Sequence, residues 1–297
     1  MRTCAQTNYL SIDVEDYFQV SAFEAVSKPE SWAARPLRVE RNTEKVLELL
    51  DEHKAMATFF VLGWVAERFP RLIQKIIAAG HEIASHGYNH QRVNNLSRRE
   101  FRDDIRTSKI LLENITGQPV HGYRAPSYSI SAATPWAFDE LLEAGYLYDS
   151  SIFPIRHDFY GVPDWPRFAG WAEKNSLGQW ECLSRDPMGL RLFEVPITTL
   201  KLGRFKLPIA GGGYFRLYPY PFTRWGLRRI NRREGRPFVF YVHPWEFDPR
   251  QPRVAGATIK SRFRHYVNLD KTEARFKRLL TDFSFLPIRD LVNTAYS

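Results

Sequence analysis

The stretch "HEIASHGYNH", residues 81–90, runs a short apolar-polar segment straight into two histidines, His86 and His90, with Gly87 directly after the first. Two imidazoles four positions apart can reach one metal ion from one side of a helical turn or a tight loop. Two unrelated surface histidines fit the same spacing. The choice depends on where the chain puts them, so the reading moves outward to the elements on either side.

Upstream, "YLSIDV" (9–14) reads as a buried strand running into acids, and "ATFFVL" (57–62) as a second strand rich in β-branched and aromatic residues. Between them Val46, Leu49 and Leu50 take helical spacing after an N-cap at Asn42 or Thr43. Leu72, Ile73, Ile76 and Ile77 mark a helix that starts at Pro70 and ends at Gly80. Downstream, Ser97 and Glu100 form a capping box for a helix closing on Gly117. "VHGYRAP" is strand-like and stops at Pro126. "TPWAFDELLEAG" is a helix with Thr134 as N-cap, Pro135 at its first position and Gly145 at its end; "GLRLFEVPIT" and "RPFVFYVHP" are two more strands. Strand and helix alternate, which predicts an α/β fold with a mostly parallel sheet and helices outside.

The ionisable residues then follow one rule. Asp13, Glu15 and Asp16 end the first strand, His86 and His90 follow a later one, Arg124 ends another, and His243 ends the last. In parallel α/β barrels the chemistry gathers at the carboxyl ends of the strands. All these side chains are expected on one rim, which favours the metal reading of the histidine pair.

Composition bounds the rest. A chain of 297 residues suits one large domain, and the expected organisation is a single catalytic domain over 1–297 with an insertion at about 150–220. Net charge is +9, which points to solubility or to anionic partners such as membrane lipid or acidic polymer. The basic run "RWGLRRINRREGR" (224–236) reads as a helix with a solvated face, and no nucleic-acid motif accompanies it. Cys4 and Cys182 are the two cysteines, so neither a disulfide framework nor a cysteine zinc site is expected. The stretch "MRTCAQTNYLSIDVED" lacks an apolar signal region, and no segment approaches a membrane span. The expected location is the cytoplasm, with peripheral attachment to the inner membrane as the variant. Oligomeric state is not legible.

Residues 150–220 break the alternation with "IFPIRHDFYGVPDWPRFAGW" and "GRFKLPIAGGGYFRLYPYP". They read as loops and short antiparallel strands packed over the rim, whose aromatic rings either line a sugar groove or pack an irregular insertion. His157 and Asp158 fall here, as substrate contacts or as packing. Tyr214 and Arg216 follow a triple glycine, which fits a close backbone approach to a ligand or a hairpin turn.

Five stretches in order carry a resemblance. "SIDVEDYF", "SHGYNH", "GYRAPSYS", "YDSSIFP" and "FYVHPWEF" are similar to the motifs of the polysaccharide deacetylase family, carbohydrate esterase family 4 with a NodB-type homology domain. The chain most resembles the subgroup found with bacterial exopolysaccharide and protein-sorting gene clusters, and "GGGYFRLYPY" looks like that subgroup's extra region. The resemblance implies a distorted (β/α) barrel of about seven strands, a divalent metal, and removal of N-acetyl groups from a glycan.

The chemistry can also be built from the residues. Hydrolysing an amide needs an activated water, a polarised carbonyl and a proton for the departing amine. A metal held by His86, His90 and one carboxylate, zinc or a close relative, keeps positions open for water and substrate oxygen. Asp13 is the expected base, Arg124 its bidentate partner, and His243 the acid. Backbone N–H groups in the turn after Pro126, at Ser127 and Tyr128, are candidates for the oxyanion, with Tyr214 and Trp245 as sugar contacts. The family's common form has two adjacent aspartates at the first motif, whereas this chain has Asp-Val-Glu-Asp. Strand alternation puts Asp13 and Glu15 on one face and favours Glu15 as the ligand, with Asp16 the alternative. His53, His81, His121 and His265 are expected to be structural or surface histidines. An N-acetylated glycan is the expected substrate. A C–N hydrolase acting on a small amide or cyclic ureide and a non-catalytic glycan-binding relative are the other two classes.

Overall fold

A computed structural model of the chain describes residues 6–157, 160–175, 179–183 and 191–297. The first strand, β1 (Thr7–Val14), is buried on both faces and pairs in parallel with β2 (Thr58–Val61). β3 (Glu82–Ser85), β4 (Gly122–Tyr123) and β5 (Tyr148–Asp149) continue the parallel sheet. The crossovers are α1 (Val39–Glu52), then α2 (Gly63–Arg68) with α3 (Pro70–Ala78), α4 (Arg98–Thr116) and α5 (Ala137–Glu143). β6 (Gly170–Lys174) and β7 (Trp180–Leu183) form an antiparallel flap on the edge of β8 (Leu192–Glu194), which itself pairs in parallel with β5. A separate hairpin, β9 (Thr199–Leu202) and β10 (Phe205–Pro208), leads into α6 (Gly212–Leu217) and α7 (Tyr220–Arg229). β11 (Val239–Val242) returns to the other side of β1. The chain ends with α8 (Ile259–Tyr266), α9 (Leu269–Asp282), β12 (Ser284–Leu286), which pairs with the start of β1, and α10 (Ile288–Tyr296).

Among the described residues, seven strands run parallel in the order β11-β1-β2-β3-β4-β5-β8, the expected distorted barrel. The sheet does not close. β8 and β11 share no ladder, and the gap is spanned by the Val239 N–H donating to Thr198 Oγ1 at 2.8 Å. Phe60, Tyr148, Phe193 and Val239 line the barrel interior, Ile288 and Val292 of α10 pack against them, and Glu82 is buried among them, bonded to Thr58 and to the Tyr148 hydroxyl. The larger core lies outside, between sheet and helices. Burial of this kind stabilises by roughly 25 cal/mol per Å² of apolar surface.

Three local expectations shift. α1 begins at Val39, one turn before the expected cap at Asn42 or Thr43. α5 begins at Ala137, after a turn built on Thr134 and Pro135. The triple glycine is no hairpin but the entry to α6. Gly211, at φ 128°, forms a parallel bridge with Tyr241, whose carbonyl oxygen would lie 1.9 Å from any Cβ there.

Candidate active site

The expected rim forms. At the end of β1 the Glu15 N–H donates to the Asp13 carbonyl at 3.0 Å, a tight turn that keeps both carboxylates on one side. The loop 86–90 is fixed from two directions. The N–H groups of Gly63 and Trp64, at the start of α2, donate to the carbonyls of Gly87 and Tyr88, and Asp104 of α4 accepts from the Tyr88 N–H at 3.0 Å. Gly87 sits at φ 72°, where a Cβ would stand 2.7 Å from Asp104. His90 follows in the left-handed region at φ 51°. These turns place one ligand atom each from Glu15, His86 and His90 within 4.8 Å of one another, all buried.

Asp16, the alternative ligand, does not join them. Its Oδ2 accepts the N–H groups of Arg38 and Val39 at 2.6 and 2.9 Å, and Oδ1 that of Tyr17 at 2.8 Å. It is the cap of α1, supplied from a distant point in the chain, which explains why that helix starts early. Burial raises its carboxyl to about 6 against those hydrogen bonds.

The donor set fits a divalent ion. Burial lowers His86 to about 4, so the imidazole is neutral, and its Nδ1–H donates to the Arg124 carbonyl at 2.7 Å, leaving Nε2 for a metal. Glu15 Oε2 accepts no well-aligned hydrogen bond and faces His90 Nε2 at 2.7 Å. Burial alone would raise the Glu15 carboxyl, but His90 and then His243 outweigh it and hold it at about 2. Two imidazoles and an ionised carboxylate are ordinary zinc-type ligands.

Asp13 and His243 flank this cluster. Arg124, fully buried, donates from Nη1 to Asp13 Oδ1 at 2.6 Å. The expected two-pronged fork is absent, because Nη1 also reaches Ser11 Oγ and the remaining nitrogens serve Ser150. His243 Nε2 lies 3.5 Å from Glu15 and 3.9 Å from Asp13, while its Nδ1–H donates to Glu246 at 2.5 Å. Burial opposes its charge, but Glu15, Glu246 and Asp13 raise it to about 9.

The proposed substrate contacts divide. Ser127, Tyr128, Tyr214 and Trp245 line a cavity of about 850 Å³ that opens above the cluster, as do His157 and Tyr160. Pro126 is buried and does not line it; its ring starts the short turn that aims the next two residues. Ser127 and Tyr128 both take φ 55°, and the Tyr128 N–H already donates to the Ala125 carbonyl at 3.0 Å, so it is not free for an oxyanion. Trp245 donates from Nε1 to Glu15 Oε1 at 3.1 Å and stacks on His265, 4.1 Å between ring centres. That makes it a support for the ligand more than a sugar wall, and His265, expected near the surface, is buried beneath it. Arg216 is buried in an ion pair with Glu246 at 3.2 Å. Asp158 and Cys4 lie outside the described residues.

Sequence reasoning missed Glu246, Asp104, Ser11 and Tyr160. Only Glu246 had a local signal, three positions after His243 in "HPWEF". The others reach the site through tertiary contacts.

Residues 32–146 match the family model described as polysaccharide deacetylase, and residues 150–293 the model of a domain of unknown function, DUF3473. Among curated proteins, a peptidoglycan-N-acetylglucosamine deacetylase of Bacillus cereus is 36% identical over 104 residues, 35% of this chain and 47% of its own length. A peptidoglycan deacetylase of Helicobacter pylori is 31% identical over 115 residues, 39% of this chain and 38% of its own. A chitooligosaccharide deacetylase of Sinorhizobium fredii is 43% identical over 63 residues, 21% of this chain and 29% of its own. The matches thus span less than half the length of these relatives. Two solved structures share the fold: one from Mycobacterium smegmatis whose name assigns it provisionally to polysaccharide deacetylases (TM-score 0.59, 19% identity, 99% of this chain and 92% of that one), and an allantoinase (TM-score 0.57, 16% identity, 96% and 88%).

Proposed function

We propose, from the match of residues 32–146 to the polysaccharide deacetylase family model, that the chain is a hydrolase of that family removing N-acetyl groups from hexosamine units of a glycan, with a divalent ion, zinc or a close relative, held by Glu15, His86 and His90. The observation that carries the reading is the meeting of those three ligand atoms with Asp13 and His243, themselves 3.9 Å apart, beside them.

A bound divalent ion would supply a Lewis acid for the acetyl carbonyl and a more acidic water. Asp13 takes the proton of the attacking water, held in place through Oδ1 by Arg124 while Oδ2 stays open to the cavity side. His243, oriented by Glu246, gives its Nε2 proton to the amine as the C–N bond breaks. Trp245 fixes the rotation of the Glu15 carboxylate. The adjacent-aspartate form of the first motif is replaced here by Asp13 with Glu15, and Asp16 serves the fold. A cavity of about 850 Å³ walled by tyrosines suits a sugar chain better than a small ureide.

A bacterial exopolysaccharide as the substrate, a single catalytic unit over 1–297, and a cytoplasmic setting peripheral to the inner membrane extend the same proposal. They rest on the order of the five motifs and on the charge of +9. Among the described residues no helix is long and apolar enough to cross a membrane. The test is acetate release from N-acetylglucosamine oligomers and from peptidoglycan, with the protein stripped by chelation and then resupplied with zinc, cobalt or nickel. Activity that disappears and returns with metal supports the proposal; full activity in the stripped protein overturns the metal's part, and no acetate from any glycan overturns the reaction.

A further inference from the structure

Outside the catalytic cavity, α6 and α7 carry a row of rings. Tyr214 lines the cavity; its ring lies 6.2 Å from Tyr218, which lies 5.3 Å from Phe222, which lies 5.7 Å from Trp225. The chain is extended at Tyr218 and Pro219 between the two helices, so the row is set by these ring contacts and not by one helical period. The opposite face, with Phe215, Tyr220 and Leu227, is buried in the core. The row emerges outward: Tyr214, Tyr218 and Phe222 are half-buried, and Trp225 is 47% exposed.

We propose that Tyr214, Tyr218, Phe222 and Trp225 form a track that holds the rest of a polymeric glycan as it leaves the cavity. This rests on the deacetylase reading and adds an extended binding site to it. Sugar rings present apolar faces that pack on aromatic ones, and each step of the row is comparable with the length of one sugar residue. The base of the track is rigid. Arg216, buried on α6, donates to the His265 carbonyl at 2.6 Å and to Glu246, the partner of His243. Track and proton donor therefore share one support. The chemistry favours a glycan over an anionic lipid surface, because Arg224 and Arg228, which flank Trp225 on α7, both pair with Asp282, at 2.8 and 3.1 Å.

The experiment compares β-1,4-linked N-acetylglucosamine oligomers from dimer to hexamer on the metal-loaded protein and on Trp225→Ala, Trp225→Phe and Tyr218→Ala. In the wild type kcat/KM is expected to rise with length. In Trp225→Ala and Tyr218→Ala the hexamer-to-dimer ratio of kcat/KM should fall about tenfold, and Trp225→Phe should recover most of it. Calorimetric binding of the hexamer gives the same comparison where no acetate is released, so failure of the reaction is distinguished from failure of the track. An unchanged ratio and unchanged hexamer affinity in Trp225→Ala would overturn the proposal. So would loss of binding to phosphatidylglycerol vesicles in that variant with the ratio intact, which would assign the face to a membrane.

Discussion

The barrel strands β1 to β5 and the later region from β6 to α8 contribute to the same cavity in opposite ways. In the first, almost every polar side chain is spoken for: Arg124 serves Asp13, Ser11 and Ser150, Asp104 holds the histidine loop, and Asp16 caps α1. In the second, the rings of Tyr214, Tyr241, Trp245 and Phe263 face the cavity beside His243, Lys260 and Arg264, and Glu246 holds His243 from behind. The early strands thus fix a small reacting centre with little freedom, and the later region shapes what reaches it. His243 is where the two meet, since its ring points to Asp13 and Glu15 on one side and to Glu246 on the other.

The division can be broken most forcefully at its centre. Asp13→Asn and His243→Ala should each lower kcat roughly 100- to 10,000-fold with metal retained, measured as acetate release beside metal content. A loss of only a few-fold for His243→Ala would make it a structural residue. Glu246→Gln tests the boundary between the regions. It leaves the shape of the pocket and removes the charge that orients His243, so a fall of about 10- to 100-fold is expected, on the scale of lost supporting contacts; no change would detach Glu246 from the chemistry.

Two smaller effects test the claim that other polar groups of the early strands serve the fold. Asp16→Ala should lower the stability read from urea unfolding by about 1–2 kcal/mol, the cost of a lost N-cap, without lowering metal content. His81 accepts the Ala57 N–H at 3.3 Å, and burial, then Arg289, depresses it to about 4. Between the ordinary 6.5 and 4 the unfolded chain binds a proton that the folded one does not, so stability falls as pH drops through that window. The loss between pH 7 and pH 5 should be about 2 kcal/mol from this residue, read as the difference in urea unfolding between wild type and His81→Asn; identical slopes would remove the assignment.

Much of the reacting centre was legible because its signals are local. The strand runs before Asp13, His86 and His243 are short and apolar, and Gly117 and the Ser97–Glu100 box mark the ends of α4 as the pattern predicts. What was hidden is non-local. Nothing near Asp16 says that it caps a helix beginning at Val39, and strand alternation alone could not separate it from Glu15. The triple glycine looked like a turn because the reason for its glycines, the approach of Gly211 to Tyr241, lies on a strand thirty positions later. The cavity walls were least legible, since an aromatic residue in an irregular segment reads alike whether it faces the core or the cavity.

Metal content of purified wild type, Glu15→Ala and Asp16→Ala, measured side by side after zinc loading and desalting, tests the central claim most directly. One ion per chain in the wild type and in Asp16→Ala, and none in Glu15→Ala, is the predicted result. An ion kept by Glu15→Ala and lost by Asp16→Ala would contradict it.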